Sequence, residues 1–206
     1  MPYSIPSLKR MAVAKAIAHP TDDLPKISGQ VRNMTVRNEW LHPAADPTDG
    51  KGAMLYRPGD CVTAAVVLRL WSAGFANSEA FEATVLRLNK WYVTDEYPNL
   101  KDDEQPPQEY FHTINPDKPY SPACHVLRDY CTTGEHWSLR LDIRRHAVTG
   151  AYRHVASLWR GDSALGNGSP LKDGESPQSA HVIVLDEIIA QIAAHTIFKG
   201  GAHGTH

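Results

Sequence analysis

The chain has 206 residues, 42% of them hydrophobic and 21% charged, with a formal net charge of −2. This composition is ordinary for a globular protein and excludes a wholly disordered chain. No apolar run approaches the roughly 20 residues that a membrane-spanning helix needs, and the N-terminus lacks a secretory signal pattern. Three widely spread cysteines argue against a disulfide framework. We therefore expect a cytoplasmic protein with no membrane partner.

Charge is unevenly distributed along the chain. Residues 1–59 carry eight Lys or Arg against five Asp or Glu, whereas residues 93–118 carry two Lys against seven acids. Phosphate contacts depend on the charge of the local surface and not on the total, so the N-terminal region is compatible with nucleic-acid binding. Ordinary surface charge explains the same excess, so charge does not decide the question.

Residue spacing predicts four helices and a hairpin in the first half. The first helix covers residues 7–19 and is ended by Pro20. A second helix follows an aspartate cap and runs to about Leu41. Turn-forming residues then predict a hairpin over residues 46–56. Two further helices are expected, one from Asp60 to Gly74 and one from Asn77 or Ser78 to Trp91.

One face of the second predicted helix carries hydrogen-bonding side chains and no acid. The opposite face is apolar, with side chains at spacings of three and four. The polar stripe consists of Lys26, Gln30, Asn33 and Arg37, with Ser28, Arg32 and Thr35 beside or near it. Arg, Asn and Gln can make bidentate contacts to base edges, and Lys suits phosphates. A solvated helix face is the alternative, but acid-free faces are uncommon because surfaces usually mix both signs.

The order helix, helix, hairpin, helix, helix resembles the MerR family of winged helix-turn-helix regulators. The resemblance rests on two segments, Gly-Ala-Met-Leu-Tyr-Arg-Pro-Gly-Asp at residues 52–60 and Leu-Trp-Ser-Ala-Gly-Phe-Ala-Asn-Ser-Glu-Ala at residues 70–80. In that family a Gly-x-x-x-Tyr wing strand leads through an acidic cap into a helix that ends in Leu-Gly-Phe. The resemblance covers about residues 7–92 and implies a DNA-binding domain. Pro98 would interrupt the long helix through which the family usually dimerises, so we assign self-association to the second half.

The second half predicts a small α+β unit. Residues 137–143 and 151–159 alternate as a β-hairpin, residues 181–185 form a third strand or the start of a helix, and a helix follows to residue 198. Residues 161–179 are rich in Gly, Ser and Pro and predict a long flexible loop. The predicted class is thus α+β, with four parts. These are a winged helix-turn-helix domain (1–94), an acidic Pro-rich linker (95–122), a small dimerisation or effector domain (123–198) and a disordered tail (199–206).

Signals for catalysis or metal binding are weak. Cys124, His125, Cys131 and His136 lie within thirteen residues but lack the paired spacing of zinc knuckles, so buried cysteines and a surface histidine are the favoured interpretation. His146 and His154 flank the predicted hairpin and are interpreted as structural, with a ligand-facing patch as the alternative. No phosphate-cradling glycine loop, nucleophile elbow or carboxylate pair is visible. We expect no metal, no cofactor and no enzymatic activity.

The leading hypothesis is a sequence-specific, homodimeric DNA-binding regulator of transcription, and a phage or mobile-element context would suit the same parts. The predicted contacts with double-stranded DNA are Lys26, Gln30, Arg32, Asn33 and Arg37 in the major groove, and Lys51 and Arg57 on the wing. An excisionase-like architectural DNA-binding protein is one alternative. The other is a protein-interaction adaptor in which the acidic segment at residues 95–109 binds a basic partner.

Overall fold

The computed structural model describes residues 7–45, 53–92, 111–112, 121–164 and 171–195. These residues form a mixed arrangement of helices and antiparallel sheets, which agrees with the predicted α+β class. No helix among them has both the length and the apolar character needed to cross a bilayer. The predicted tail at residues 199–206 and the hairpin tip at residues 46–52 lie outside the described residues.

The first half consists of helices around a small sheet. In chain order the elements are β1 (Leu8–Lys9), α1 (Arg10–Ile17), α2 (Leu24–Val36), β2 (Ala44–Ala45), β3 (Met54–Tyr56), α3 (Pro58–Ser72) and α4 (Ser78–Asn89). The three strands form an antiparallel sheet in the order β1-β3-β2. The four predicted helices are thus present. A hairpin is also present, but its first strand β2 lies before the predicted range of residues 46–56. The sheet also recruits Leu8 and Lys9, which were expected to be helical.

The second half is built on a larger antiparallel sheet. Its elements are β4 (Trp91–Tyr92), β5 (Phe111–His112), α5 (Pro122–Thr133), β6 (Trp137–His146), β7 (Tyr152–Arg160), β8 (Ser163–Ala164), β9 (Glu175–Val184) and α6 (Asp186–Ala194). Strands β4 and β5 pair with each other, and the larger sheet has the order β8-β7-β6-β9. The predicted hairpin is confirmed, and the strand alternative for residues 181–185 is confirmed as the end of β9. The final helix is present but ends at Ala194, and residues 196–198 of its predicted range lie outside the described residues. The predicted loop at residues 161–179 is wrong in part, because β8 and the start of β9 lie within it.

Helix α2 ends at Val36 and not near Leu41 as predicted. The backbone N–H groups of Trp40 and Leu41 both donate to the Met34 carbonyl, at 2.8 and 3.4 Å, and Glu39 adopts a φ of 54°. This turn places the Trp40 ring beside Trp71 and Phe81, with ring centroids 6.1 and 5.3 Å away. Burial of Trp40 in this aromatic cluster therefore accompanies the early end of the helix.

A buried amide fixes the connection that follows α2. The Asn89 side chain at the end of α4 donates to the Trp40 carbonyl at 2.8 Å and accepts a hydrogen bond from the Thr63 hydroxyl at 3.1 Å. All of these groups are buried, so each would lose free energy if left without a partner. The network holds the segment between α2 and β2 against α3 and α4.

Helix α3 is the centre of one continuous hydrophobic core. It packs against α1, α4, α5 and α6, and α4 packs against β7. On α6, Gln191 donates from Nε2 to the carbonyls of Ala16 and Ala18 at 3.2 and 2.8 Å, which satisfies the end of α1. The predicted boundaries at residues 94 and 122 stay a prediction, but the described elements on either side of them share this core. Most of the predicted linker lies outside the described residues. Strand β5, which lies within it, pairs with β4, which precedes it.

Candidate nucleic-acid interface

Helix α2 is anchored to the molecule by its apolar face. Ile27, Val31 and Met34 are buried, as their spacing of three and four predicts. Ser28 is also buried and accepts a hydrogen bond from Arg10 Nε of α1 at 3.1 Å. Ser28 is therefore part of the contact between α1 and α2, and the expectation that it lies beside the polar stripe is wrong.

The opposite face of α2 is exposed and carries no acid. The segment from Leu24 to Arg37 contains no Asp or Glu, and its predicted contact residues Lys26, Arg32, Asn33 and Arg37 are all exposed. Two further residues belong to this face. Gly29 presents only backbone there, and Val36 is 65% exposed. The sequence offered a signal for both, because helical periodicity places them near Asn33, but a search for polar side chains passes over them.

Gln30 departs from the predicted reading face. It is half-buried and lines a groove of about 500 Å³ between the end of α1, the first turns of α2, the end of α3, and α6. Its Oε1 atom is buried and accepts no hydrogen bond within the described part of the chain. Lys26 lines the same groove. The predicted stripe is thus divided, with Arg32, Asn33 and Arg37 exposed and Gln30 in the wall of the groove.

The small sheet is fixed directly behind the C-terminal end of α2. The Thr35 hydroxyl lies 3.0 Å from the Tyr56 hydroxyl and donates to the Val31 carbonyl at 3.0 Å, so the Tyr56 hydroxyl is the donor between them. Tyr56 is buried, and its carbonyl accepts from the Ser7 N–H at 3.0 Å. These bonds set the position of strand β3 relative to α2. Of the two predicted wing residues, Arg57 is exposed at the end of β3, and Lys51 lies outside the described residues.

The acidic cap expected at the start of α3 is present. The Arg57 N–H donates to Asp60 Oδ2 at 2.7 Å. Burial raises the pKa of the Asp60 carboxyl, while the Arg57 hydrogen bond and the charges of Arg57 and His42 oppose the rise. Gly59 allows close packing here, because a Cβ atom at that position would lie 2.5 Å from Cys124 Sγ. The contact with α5 could not be read from the sequence, since its partner is far along the chain.

The cysteine and histidine residues weighed for zinc are spread apart. Cys124 is buried against Gly59, Cys131 is exposed near the other end of α5, and His136 Nδ1 lies 2.6 Å from Asp186 Oδ2. The described ranges contain no group of three or more His, Cys, Asp or Glu residues that could hold one metal ion.

Two histidines of the larger sheet, His146 and His154, make side-chain contacts within the described residues. His146 Nδ1 accepts hydrogen bonds from the backbone of Val148 and Thr149, at 3.3 and 3.2 Å, in the turn between β6 and β7. His154 Nδ1 lies 3.1 Å from Glu79 Oε2 of α4. The structural role that the sequence favoured for His146 and His154 stays a prediction.

No protein-family model matches the chain, and neither a curated protein nor a solved structure matches it. A functional assignment therefore depends on the residues themselves. The outer face of α2 carries exposed cationic and amide side chains, and the same helix contributes no carboxylate, which is chemistry compatible with a polyanion.

Proposed function

We propose that this protein is a sequence-specific DNA-binding regulator of transcription, in which β1 to α4 act as a winged helix-turn-helix module. The observation that carries the proposal is the exposed, acid-free face of α2. A helix held by its apolar face can insert its polar face into the major groove, which is wide enough to admit it. The paired strands β2 and β3 support the wing assignment, because they lie beside the end of this helix.

The geometry suggests separate roles for the residues of this face. Asn33 and Arg32 are suited to base edges, where amide and guanidinium groups make bidentate contacts. Val36 is suited to a thymine methyl group, and Gly29 would allow close approach of the nucleic acid. Lys26, Arg37 and Arg57 would contact phosphates, which fix register and orientation without reading sequence. Gln30 has no direct role in this arrangement because it is half-buried, whereas Lys26, which lines the same groove, is exposed.

An electrophoretic mobility shift assay tests the proposal directly. The probes are duplexes from the region upstream of the protein's own coding sequence, with a shuffled duplex of equal length as competitor. We expect retardation at low salt, weaker binding as salt rises, and preference for the native sequence. Absence of retardation at low salt with every upstream probe would exclude DNA binding.

Matched charge-removing variants then locate the interface. Arg32→Ala should weaken binding to the preferred duplex by about 1–3 kcal/mol and reduce sequence preference. Arg145→Ala is the control, because Arg145 is an exposed arginine of β6 and its removal changes the net charge equally. Equal weakening by both variants would show a nonspecific charge effect and contradict a reading role for α2.

Three associated expectations belong to the same proposal. A homodimer would match operators with two half-sites one helical turn apart, and the proposed activity requires neither a cofactor nor catalysis. A cytoplasmic location would give access to the DNA of a cell without a nucleus.

The adaptor alternative depends on residues 95–109. These lie outside the described residues, so the alternative stays a prediction. Deleting that segment should leave DNA affinity unchanged if it binds a separate protein.

A further inference from the structure

Strand β9 forms an edge of the larger sheet. Among the described residues it pairs with β6 on one side only, and most of its residues from Glu175 to Val184 are exposed. An exposed edge presents unpaired backbone groups, which natural proteins usually protect with proline, charge, a bulge or a covering segment. The two halves of β9 differ in this protection.

The N-terminal half of β9 is protected by Pro177 and a bulge. The Gly174 carbonyl accepts from the Ala147 N–H at 2.7 Å, so the alternation of an antiparallel ladder directs Ser176 toward β6 and Pro177 away from it. Because proline has no N–H, it offers no donor on the free edge. The pairing of β9 with β6 then shifts by one residue, because Arg144 pairs with Pro177 but Ile143 pairs with Ser179, which marks a β-bulge. This half is therefore a poor template for another strand.

Among the described residues, the C-terminal half has no such protection. The Leu185 N–H donates to the Trp137 carbonyl at 2.9 Å, so alternation directs the backbone groups of Ala180, Val182 and Val184 away from β6. From Ser179 to Leu185 the segment contains no Asp, Glu, Lys or Arg. It is also apolar on one face, where Val182 is 62% exposed and Val184 is 57% exposed. These backbone groups and side chains together form an uncharged surface suited to strand pairing.

We infer that β9 pairs antiparallel with β9 of a second copy of this chain, about a two-fold axis at Val182. In this register Val182 lies opposite its own copy and Ala180 lies opposite Val184 of the second copy. Val182 and its copy then form a hydrogen-bonded pair, and so do Ala180 and Val184 of the second copy. Each pair exchanges two backbone hydrogen bonds. The larger sheet would continue from one protomer into the other.

The segment is complementary to itself, which favours a second copy over an unrelated partner. The two-fold register places apolar side chains against apolar side chains, and it sets His181 opposite Ile183 with no like charges facing each other. An isologous contact of this kind closes as a dimer, so it removes the free edge instead of propagating it. The inference does not depend on DNA binding, because the surface lies on β9 and not on α2.

Sedimentation equilibrium of the full chain without DNA tests the dimer. The wild type should show a concentration-dependent rise from the 22.8 kDa monomer toward twice that mass. Val182→Lys should abolish the rise, since it places like charges opposite each other on the axis. Val148→Lys is the matched control, because Val148 is 87% exposed in the turn after β6, and it should dimerise like the wild type.

A cross-link tests the register even if the lysine variant fails to fold. Val182→Cys in a Cys131→Ser background should form a covalent dimer on oxidation, because Cα atoms of a hydrogen-bonded antiparallel pair are about 5.5 Å apart, within disulfide range. Val148→Cys in the same background should remain monomeric on a nonreducing gel. A monomeric wild type at all concentrations, a dimeric Val182→Lys variant, or no cross-link through Cys at 182 would overturn the inference. These measurements contain no DNA, so their outcome is distinct from that of the binding assay.

Discussion

Two helical glycines occupy opposite environments, and their replacement by alanine should have opposite effects. A Cβ atom built on Gly29 of α2 meets nothing within 4 Å, whereas one built on Gly59 of α3 would lie 2.9 Å from the backbone nitrogen of Cys124. Gly29→Ala should raise the free energy of unfolding by about 0.5–1 kcal/mol, because alanine loses less backbone entropy in a helix. Gly59→Ala should lower it by about 1–3 kcal/mol through overpacking.

Urea denaturation of the two variants beside the wild type measures both effects. Each of the two variants is the control for the other, because each change adds one methyl group to a helix and alters no charge. A stabilised Gly59→Ala variant would show that α3 and α5 are not packed closely at this point. A destabilised Gly29→Ala variant would show that the outer face of α2 is covered.

Asp60, in the first turn of α3, should make the free energy of unfolding depend on pH. Burial raises the pKa of Asp60 above its ordinary value of 3.8, so the native state retains this proton to a higher pH than the unfolded chain does. The native state binds more protons in that window, and the free energy of unfolding therefore falls as pH rises through it. At lower pH, where both states are protonated, the contribution is absent.

Asp60→Asn should remove this pH dependence, because the amide keeps an acceptor for the Arg57 N–H but does not ionise. Denaturation midpoints measured between about pH 4 and pH 7 should fall less steeply with pH than those of the wild type. Asp162→Asn is the control, since Asp162 is exposed in the turn after β7. An unchanged slope in Asp60→Asn would show that Asp60 titrates alike in the folded and unfolded chains.

Elements with strong local signals were predicted well, and the failures have identifiable causes. Helix α5 was not predicted, although Ser121 caps it, Pro122 begins it and Gly134 follows it, because its first residues were assigned to the Pro-rich linker. The length of α2 was overestimated because apolar spacing continues through Leu41. Only the burial of Trp40 against α3 and α4 shows why the helix stops earlier.

For the whole molecule, the shared core predicts a single cooperative unfolding transition. Helix α3 packs on both α1 and α5, and Gln191 joins α6 to the end of α1. Neither half can lose its packing without exposing the other, so calorimetry should give a van't Hoff enthalpy equal to the calorimetric enthalpy. Two resolved transitions would instead support independent domains on either side of the acidic segment.

A substitution in the core of the second half also tests for a single cooperative unfolding transition. Leu127 of α5 is fully buried, so Leu127→Ala should cost about 2–5 kcal/mol. In a single cooperative unit this change should lower the melting temperature seen by every probe, including probes that report on Trp40 in the first half. A shift confined to part of the heat-capacity curve would contradict the shared core.

The sequence by itself determined the inward positions of Ile27, Val31 and Met34 on α2, a hairpin that leads into α3, the hairpin of β6 and β7, and the α+β class. These features follow from periodicity, caps and turn residues, which act over a few positions. Tertiary structure decided that Gln30 lines a groove, that α2 stops at Val36 and that Gly59 meets Cys124. It also decided that the C-terminal half of β9 has an unpaired edge among the described residues. Each of these depends on neighbours distant in the chain, and a local pattern does not specify which distant segment supplies the contact.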